Sequence, residues 1–113
     1  MAAEKQHTSG NLLRNLPNEL PEELTEVLAS DRNVRIERIV SKGHASAEGF
    51  WYEQQESEWV VVLQGCGVLR FEDRSESTTL QPGDWLAISP GCRHRVESTS
   101  HDELTVWLAV FFS

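Results

Sequence analysis

From residue 34 to its end, the chain is a series of short apolar or β-branched runs separated by turn signals. The runs predicted to form strands are 34–40, 59–63, 68–72, 85–88, 94–97 and 104–112. Glycine, proline and aspartate mark the intervening turns, as in Gln81-Pro82-Gly83-Asp84. Short strands at nearly regular spacing are typical of an antiparallel sandwich or barrel. Since no repeat or linker interrupts the series, it predicts one all-β unit.

The residues before position 34 are predicted to form an arm and one short helix. Pro21 suits the first helical position, and Glu22 and Glu23 would lie in the first turn, where the peptide dipoles favour negative charge. Apolar residues recur about every fourth position, at Leu20, Leu24, Val27 and Leu28. We therefore expect a helix that ends near residue 30, and a single domain made of an N-terminal arm and helix, 1–33, and a β-barrel, 34–113.

Charge and composition exclude several classes of partner. The 113 residues include 10 Lys and Arg against 18 Asp and Glu, a net charge of −8. Nucleic-acid binding relies on clustered basic residues, which are scattered here, so neither nucleic acid nor an anionic membrane surface is expected as a partner. No apolar run approaches the roughly 20 residues that cross a bilayer. The N-terminus lacks the apolar core of a secretion signal, and we expect a cytoplasmic location by default.

The two cysteines are predicted to be free thiols in a reducing compartment. Cys66 lies between glycines and Cys92 follows Pro90-Gly91, so both are placed on turns. Their separation fits no paired metal-site spacing. A disulfide or a reactive thiol is the alternative interpretation.

Two stretches separated by a hairpin have a recognisable order. Glu58 is followed after six residues by Gly65, and residues 83–94 read GDWLAISPGCRH. They resemble the two motifs of the cupin superfamily: a Glu, six residues and a Gly, then Gly-Asp, a strand, a Pro-x-Gly turn and a His. Ser89 stands where the motif's proline is usual. The resemblance covers about 34–110 and implies a double-stranded β-helix, the jelly-roll barrel of cupins, with the predicted N-terminal helix added.

The resemblance also implies a position for a metal site. Cupin sites usually take two His and the Glu from the first motif and one His from the second, which here correspond to Tyr52, Gln54, Glu58 and His94. Glutamine is a weaker neutral donor, and a phenol with a pKa near 10 must usually lose its proton to bind a metal well. One divalent ion (zinc, iron or manganese) held with reduced affinity and no metal at all both remain open. His44 could add an imidazole if its loop folds toward the barrel mouth.

With or without a metal, these side chains are predicted to share a pocket at the barrel mouth. Tyr52 and Gln54 face the same side of an extended segment, and strand alternation places Glu58 on one face with Val60 and Val62. A hydrogen-bonded network of Glu58 with Tyr52 or His94 would satisfy these groups without metal. The predicted pocket residues are Tyr52, Gln54, Glu58, His94 and, as the neighbouring aromatic, Trp51.

Two functions remain open on the sequence alone. The first is a cupin that binds a small polar molecule in the barrel, and the missing histidines favour it. The alternative is a metal-dependent enzyme of the dioxygenase, isomerase or lyase type with a Tyr/Gln/Glu/His ligand set. The last run, 104–112, is apolar on both faces, so we also expect a homodimer that covers one sheet.

Overall fold

The computed structural model describes residues 6–113, in which every regular element is a β-strand. The strands are β1 Leu24–Asp31, β2 Val34–Ser41, β3 Ser57–Gln64, β4 Gly67–Phe71, β5 Ser77–Leu80, β6 Trp85–Ile88, β7 His94–Thr99 and β8 Thr105–Phe112. All neighbouring strands pair antiparallel. The six predicted strands are confirmed to within two residues at either end. Across this range the structure holds no helix able to cross a membrane.

The strands form two sheets, as the predicted double-sheet barrel requires. One sheet has five strands in the order β1-β2-β8-β3-β6, and the other has three in the order β5-β4-β7. Alternate side chains of each sheet point toward the other sheet and form the core. The buried core cluster consists of Val60, Val62, Leu69, Leu80, Ile88, Trp107, Ala109 and Phe111. The all-β fold predicted from the sequence is therefore confirmed.

Two glycines of the predicted turns have backbone conformations that other residues rarely adopt. Gly65 has φ of 83° and Gly83 has φ of 93°. A Cβ atom at Gly65 would lie 2.5 Å from the side-chain oxygen of Thr105, so both the dihedral and the space require glycine. Gly83 donates a backbone hydrogen bond to Val62 at 2.7 Å, which joins this turn to β3.

The predicted helix near residues 21–30 is wrong. Leu24–Asp31 is β1, an edge strand that pairs with β2 and contains a register shift between Val27 and Ala29. Val27 and Leu28 are 58% and 45% exposed, so the fourfold apolar recurrence does not form a buried face. A short isolated helix is marginal in water, whereas β2 offers a row of backbone partners. The long-range pairing therefore outweighs the local pattern.

Strand β5 was not predicted from the sequence. Its residues, STTL, include one buried apolar side chain, Leu80, so the alternation that identifies a half-buried strand is too short to detect.

Both cysteines are free thiols, as predicted.

The N-terminal arm is attached to the outside of the five-stranded sheet through Arg38. This side chain is 7% exposed, and its Nη1 donates to the carbonyl oxygens of Leu12 and Arg14 at 3.1 and 2.8 Å. The guanidinium also pairs with Glu26 on β1. A buried guanidinium needs such partners, and here they come from the arm and the edge strand.

Candidate ligand-binding cavity

A cavity of about 200 Å³ lies between the two sheets. Its polar lining consists of Glu23, Thr25, Glu37, Tyr52, Gln54, Glu58 and His94, and its apolar lining of Ile39, Leu69, Val96, Trp107 and Phe111. Thus four of the five pocket residues predicted from the sequence line one cavity, and Trp51 lies outside it.

The segment before β3 is fixed against the start of β7 by backbone hydrogen bonds. Tyr52 donates to the carbonyl of His94 at 2.7 Å, and His94 donates to the carbonyl of Tyr52 at 3.1 Å. Gly91 donates to the carbonyl of Gln54 at 2.8 Å. This short antiparallel pairing brings the Tyr52 and His94 side chains to the same face, because directly opposed residues share a side.

Glu58 is the centre of a hydrogen-bonded group. Gln54 donates from Nε2 to Glu58 Oε1 at 2.9 Å, and Nε2 of His94 lies 3.5 Å from the same oxygen. The other ring nitrogen of His94, Nδ1, is 2.9 Å from the carbonyl oxygen of Cys92. A carbonyl oxygen only accepts, so Nδ1 carries a hydrogen, and Nε2 faces the carboxylate.

The pKa of His94 is raised above its ordinary value. Burial lowers it, but the hydrogen bond to Glu58, the backbone carbonyl of Cys92 and the charge of Glu58 together outweigh this effect. With its exposed fraction of 4%, the ring is shielded from solvent. The pair therefore favours an imidazolium beside a carboxylate, and Nε2 can donate a proton into the cavity.

Tyr52 forms an aromatic wall beside this pair. Its ring stacks on His94 with centroids 5.5 Å apart and an interplanar angle of 26°, and Phe50 packs edge-on behind it at 4.8 Å. Burial raises the pKa of Tyr52, and the negative charges of Glu23 and Glu58 raise it further. The phenol therefore keeps its proton and can act as a hydrogen-bond donor.

Two further carboxylates, which the sequence analysis did not identify, line the cavity. Ser41 donates to Glu23 at 2.6 Å, and the indole nitrogen of Trp107 donates to the Ser41 hydroxyl at 3.2 Å. Glu37 accepts from Nε of Arg35 at 2.7 Å. Side-chain alternation along β2 could have identified Glu37 as facing the cavity. No sequence pattern indicated this for Glu23, because it was assigned to a helix.

The donor set does not fit a tightly held metal ion. Glu58 and His94 are the strong donors, the Gln54 amide nitrogen is turned toward Glu58, and Tyr52 stays protonated. Zinc sites in proteins use three or four His, Cys, Asp or Glu ligands. Among residues 6–113, no group of three such residues is arranged to hold an ion.

His44 and Trp51, the remaining candidates, are engaged elsewhere. Nδ1 of His44 accepts from the Lys42 amide at 2.8 Å, and its Nε2 lies 3.3 Å from the carbonyl of Pro21. His44 lines a second, outer cavity of about 230 Å³ that shares Glu23, Tyr52 and Val96 with the first. The Trp51 ring lies 5.9 Å from the guanidinium carbons of two arginines, Arg93 and Arg95.

Comparison with known proteins agrees with this architecture. The structure of a candidate mannose-6-phosphate isomerase from Ralstonia eutropha JMP134 is 40% identical, with 95% of this chain and 99% of that chain covered and a TM-score of 0.92. A cupin superfamily protein from Desulfitobacterium hafniense DCB-2 is 18% identical, with 86% and 83% covered and a TM-score of 0.70. No curated protein matches significantly in sequence. The family model described as the cupin domain matches residues 38–111, and the chain therefore belongs to the cupin family.

Proposed function

We propose that this protein binds a small polar molecule in the cavity between its sheets. The observation that carries the proposal is the Glu58–His94 pair, which with Gln54 and Tyr52 forms a polar cavity wall. Apolar side chains of similar volume would often serve stability as well or better than a buried ion pair. Ligand sites typically combine apolar lining with polar groups that converge on the ligand, and this cavity has both.

The size of the cavity favours a small metabolite. Its volume of about 200 Å³ is below the roughly 300–1,000 Å³ of sites that enclose drug-sized ligands. The outer cavity of about 230 Å³ adjoins it through Glu23 and Tyr52 and offers an entrance path. Binding requires no metal, because Glu58 and His94 already satisfy each other; an ion held weakly by these two groups is a separate expectation.

An isomerase is the second candidate function. The Ralstonia protein is described as a candidate mannose-6-phosphate isomerase, and its 40% identity brings that activity into consideration. Proton transfer between neighbouring carbons needs a base and an acid within reach of one substrate. Glu58 and His94 would supply the carboxylate and the proton donor. The metal-dependent form of this hypothesis has weaker support, because the donor set lacks a third strong ligand.

Ligand screening by NMR tests the binding proposal. Trp107 lines the cavity, and the resonance of its indole N–H, which donates to Ser41, is the reporter of occupancy. We expect small polar metabolites to shift this resonance, and His94→Gln to weaken their binding by at least about tenfold because a charge-assisted hydrogen bond is lost. His101→Gln, at an exposed histidine, is the matched control.

Two results would contradict the proposal. One is a screen in which no metabolite perturbs Trp107; the other is equal binding by the His94→Gln and His101→Gln proteins. Incubation with mannose-6-phosphate in deuterated water tests the isomerase separately, because enolisation would place deuterium on the substrate carbon.

A further inference from the structure

The charge of the cavity wall specifies what kind of molecule it can accept, provided that the proposed binding function holds. Three carboxylates line the cavity: Glu23, Glu37 and Glu58. The cationic group in the lining is the imidazole of His94, which pairs with Glu58. Among the described residues no lysine or arginine lines this cavity or the outer one. The wall is therefore net negative even with His94 protonated.

Glu23 differs from the other two carboxylates in its partners. Glu58 faces His94, and Glu37 pairs with Arg35, whereas Glu23 forms no ion pair within residues 6–113. Its carboxylate is nevertheless positioned, because it accepts from the Ser41 hydroxyl, and Ser41 is fully buried.

The position of Glu23 is where an entering ligand would pass. Glu23 and Tyr52 line both cavities, so they lie at the junction between them. The neutral phenol offers a hydroxyl next to the carboxylate. A carboxylate beside a hydroxyl oxygen is a favourable environment for an ammonium group, because the carboxylate pairs with its charge and both groups can accept its hydrogen bonds.

We propose that the cavity selects small molecules bearing a protonated amine, with the ammonium group held by Glu23 beside Tyr52, and disfavours phosphorylated ligands. A phosphate needs cationic or amide donors, and it would meet carboxylates here. This specificity differs from the substrate in the Ralstonia protein's name.

Three hexoses that differ in charge test the proposal: mannosamine, mannose and mannose-6-phosphate. Binding is followed through the Trp107 indole resonance at low ionic strength. We expect mannosamine to bind at least about tenfold more tightly than mannose, and mannose-6-phosphate at least about tenfold more weakly. Added salt should reduce the difference between mannosamine and mannose, because exposed charges are screened.

Glu23→Gln is the informative variant, since glutamine retains an oxygen that can accept from Ser41. It should remove most of the preference for mannosamine over mannose. Glu103→Gln makes the same charge change at an exposed position away from both cavities and should have no effect.

Each outcome decides a different point. Mannose-6-phosphate binding as tightly as mannosamine overturns the charge selectivity but leaves the proposed binding function standing. A mannosamine preference unchanged in Glu23→Gln overturns the role of Glu23. If no sugar at millimolar concentration shifts Trp107, the charge selectivity is overturned, and the binding function then depends on the metabolite screen.

Discussion

The two faces of the five-stranded sheet differ in a way that a monomeric barrel does not require. Its inner face carries Glu37 and Glu58 among the core residues. Its outer face, defined by residues that oppose one another across β2, β8, β3 and β6, is apolar beyond Arg38: Ile36, Val110 and Trp59 form one row, and Leu108, Val61 and Trp85 continue the row that Arg38 begins on β2. Carboxylates thus line the inside of the barrel, whereas the outer face is apolar from β8 to β6, and Arg38 on β2 pairs with Glu26 and with the N-terminal arm.

Each face carries side chains that are available to contact another molecule. The cavity on the inner face has a polar wall suited to a ligand. On the outer face Trp85 is 58% exposed, its ring centroid lies 6.0 Å from that of Trp59, and Phe112 is 44% exposed. Large exposed apolar patches mark interaction surfaces. We therefore expect a second copy of the chain to cover the outer face, which remains a prediction.

A charge introduced on the outer face should have the largest effect. Trp85→Glu places a carboxylate on the expected interface, and buried aromatic anchors contribute at least about 2 kcal/mol to such contacts. We expect the dimer dissociation constant to rise about thirtyfold or more. Light scattering or solution X-ray scattering across the micromolar range would measure it.

The control for this experiment is Val27→Glu. Val27 is also 58% exposed, but it lies on the edge strand β1 outside the defined outer face. This variant should leave the dimer intact. A monomeric mass for the unmodified protein, or equal dissociation by both variants, would show that the outer face is not the interface.

A change on the inner face should have an intermediate effect. Gln54→His adds an imidazole next to the Glu58 oxygen that His94 also faces, so it supplies the third strong donor that a zinc site needs. We expect zinc affinity to rise at least about tenfold, by analogy with the effect of single supporting groups at metal sites. Calorimetric titration would measure it.

His94→Ala in the Gln54→His background should abolish the gained zinc affinity. If Gln54→His binds zinc no better than the unmodified protein, the three side chains do not converge as described, and the cavity geometry is contradicted.

The smallest expected effect is the pH dependence of the Glu58–His94 pair. Because the pKa of His94 is raised in the folded protein, the pair contributes stability below the unfolded pKa of about 6.5 and loses it as pH rises through the folded pKa. Glu58→Gln should lower the pKa of His94. The difference in unfolding free energy between the two proteins should therefore be larger near about pH 6 than near about pH 9.

An NMR titration of the His94 ring checks this directly, with the exposed His101 as an internal reference. Unchanged titration of His94 in Glu58→Gln would mean that the carboxylate is not its main partner. A stability difference that grows with pH would contradict the sign of the effect.

The elements that the sequence predicted well are those with local signals. Gly65 and Gly83 could be identified because their neighbours form turn patterns, and the strand β3 because its apolar run is continuous. The convergence of Tyr52 and Gln54 on Glu58 followed from alternation along an extended segment. Trp51 follows the same alternation, which sends it to the opposite side from its neighbour Tyr52.

The features that could not be predicted from the sequence depend on contacts with residues far along the chain. Strand β1 exists because β2 lies beside it, and its own residues have a helical spacing. Glu23 reaches the cavity because Ser41 and Trp107, far along the chain, form a hydrogen-bonded chain that ends at its carboxylate. No local pattern encodes such contacts.

The sequence by itself determined the turns, most strands, the family motifs and the residues that face inward with Glu58, because backbone dihedral preferences and side-chain alternation are properties of neighbouring residues. The tertiary structure alone decided that residues 24–31 are a strand, that Glu23 and Glu37 join the cavity wall, and that His44 is held by Lys42 and Pro21. These depend on which segments pack together, and free energy from long-range pairing and burial exceeds the small local preferences that a sequence pattern records.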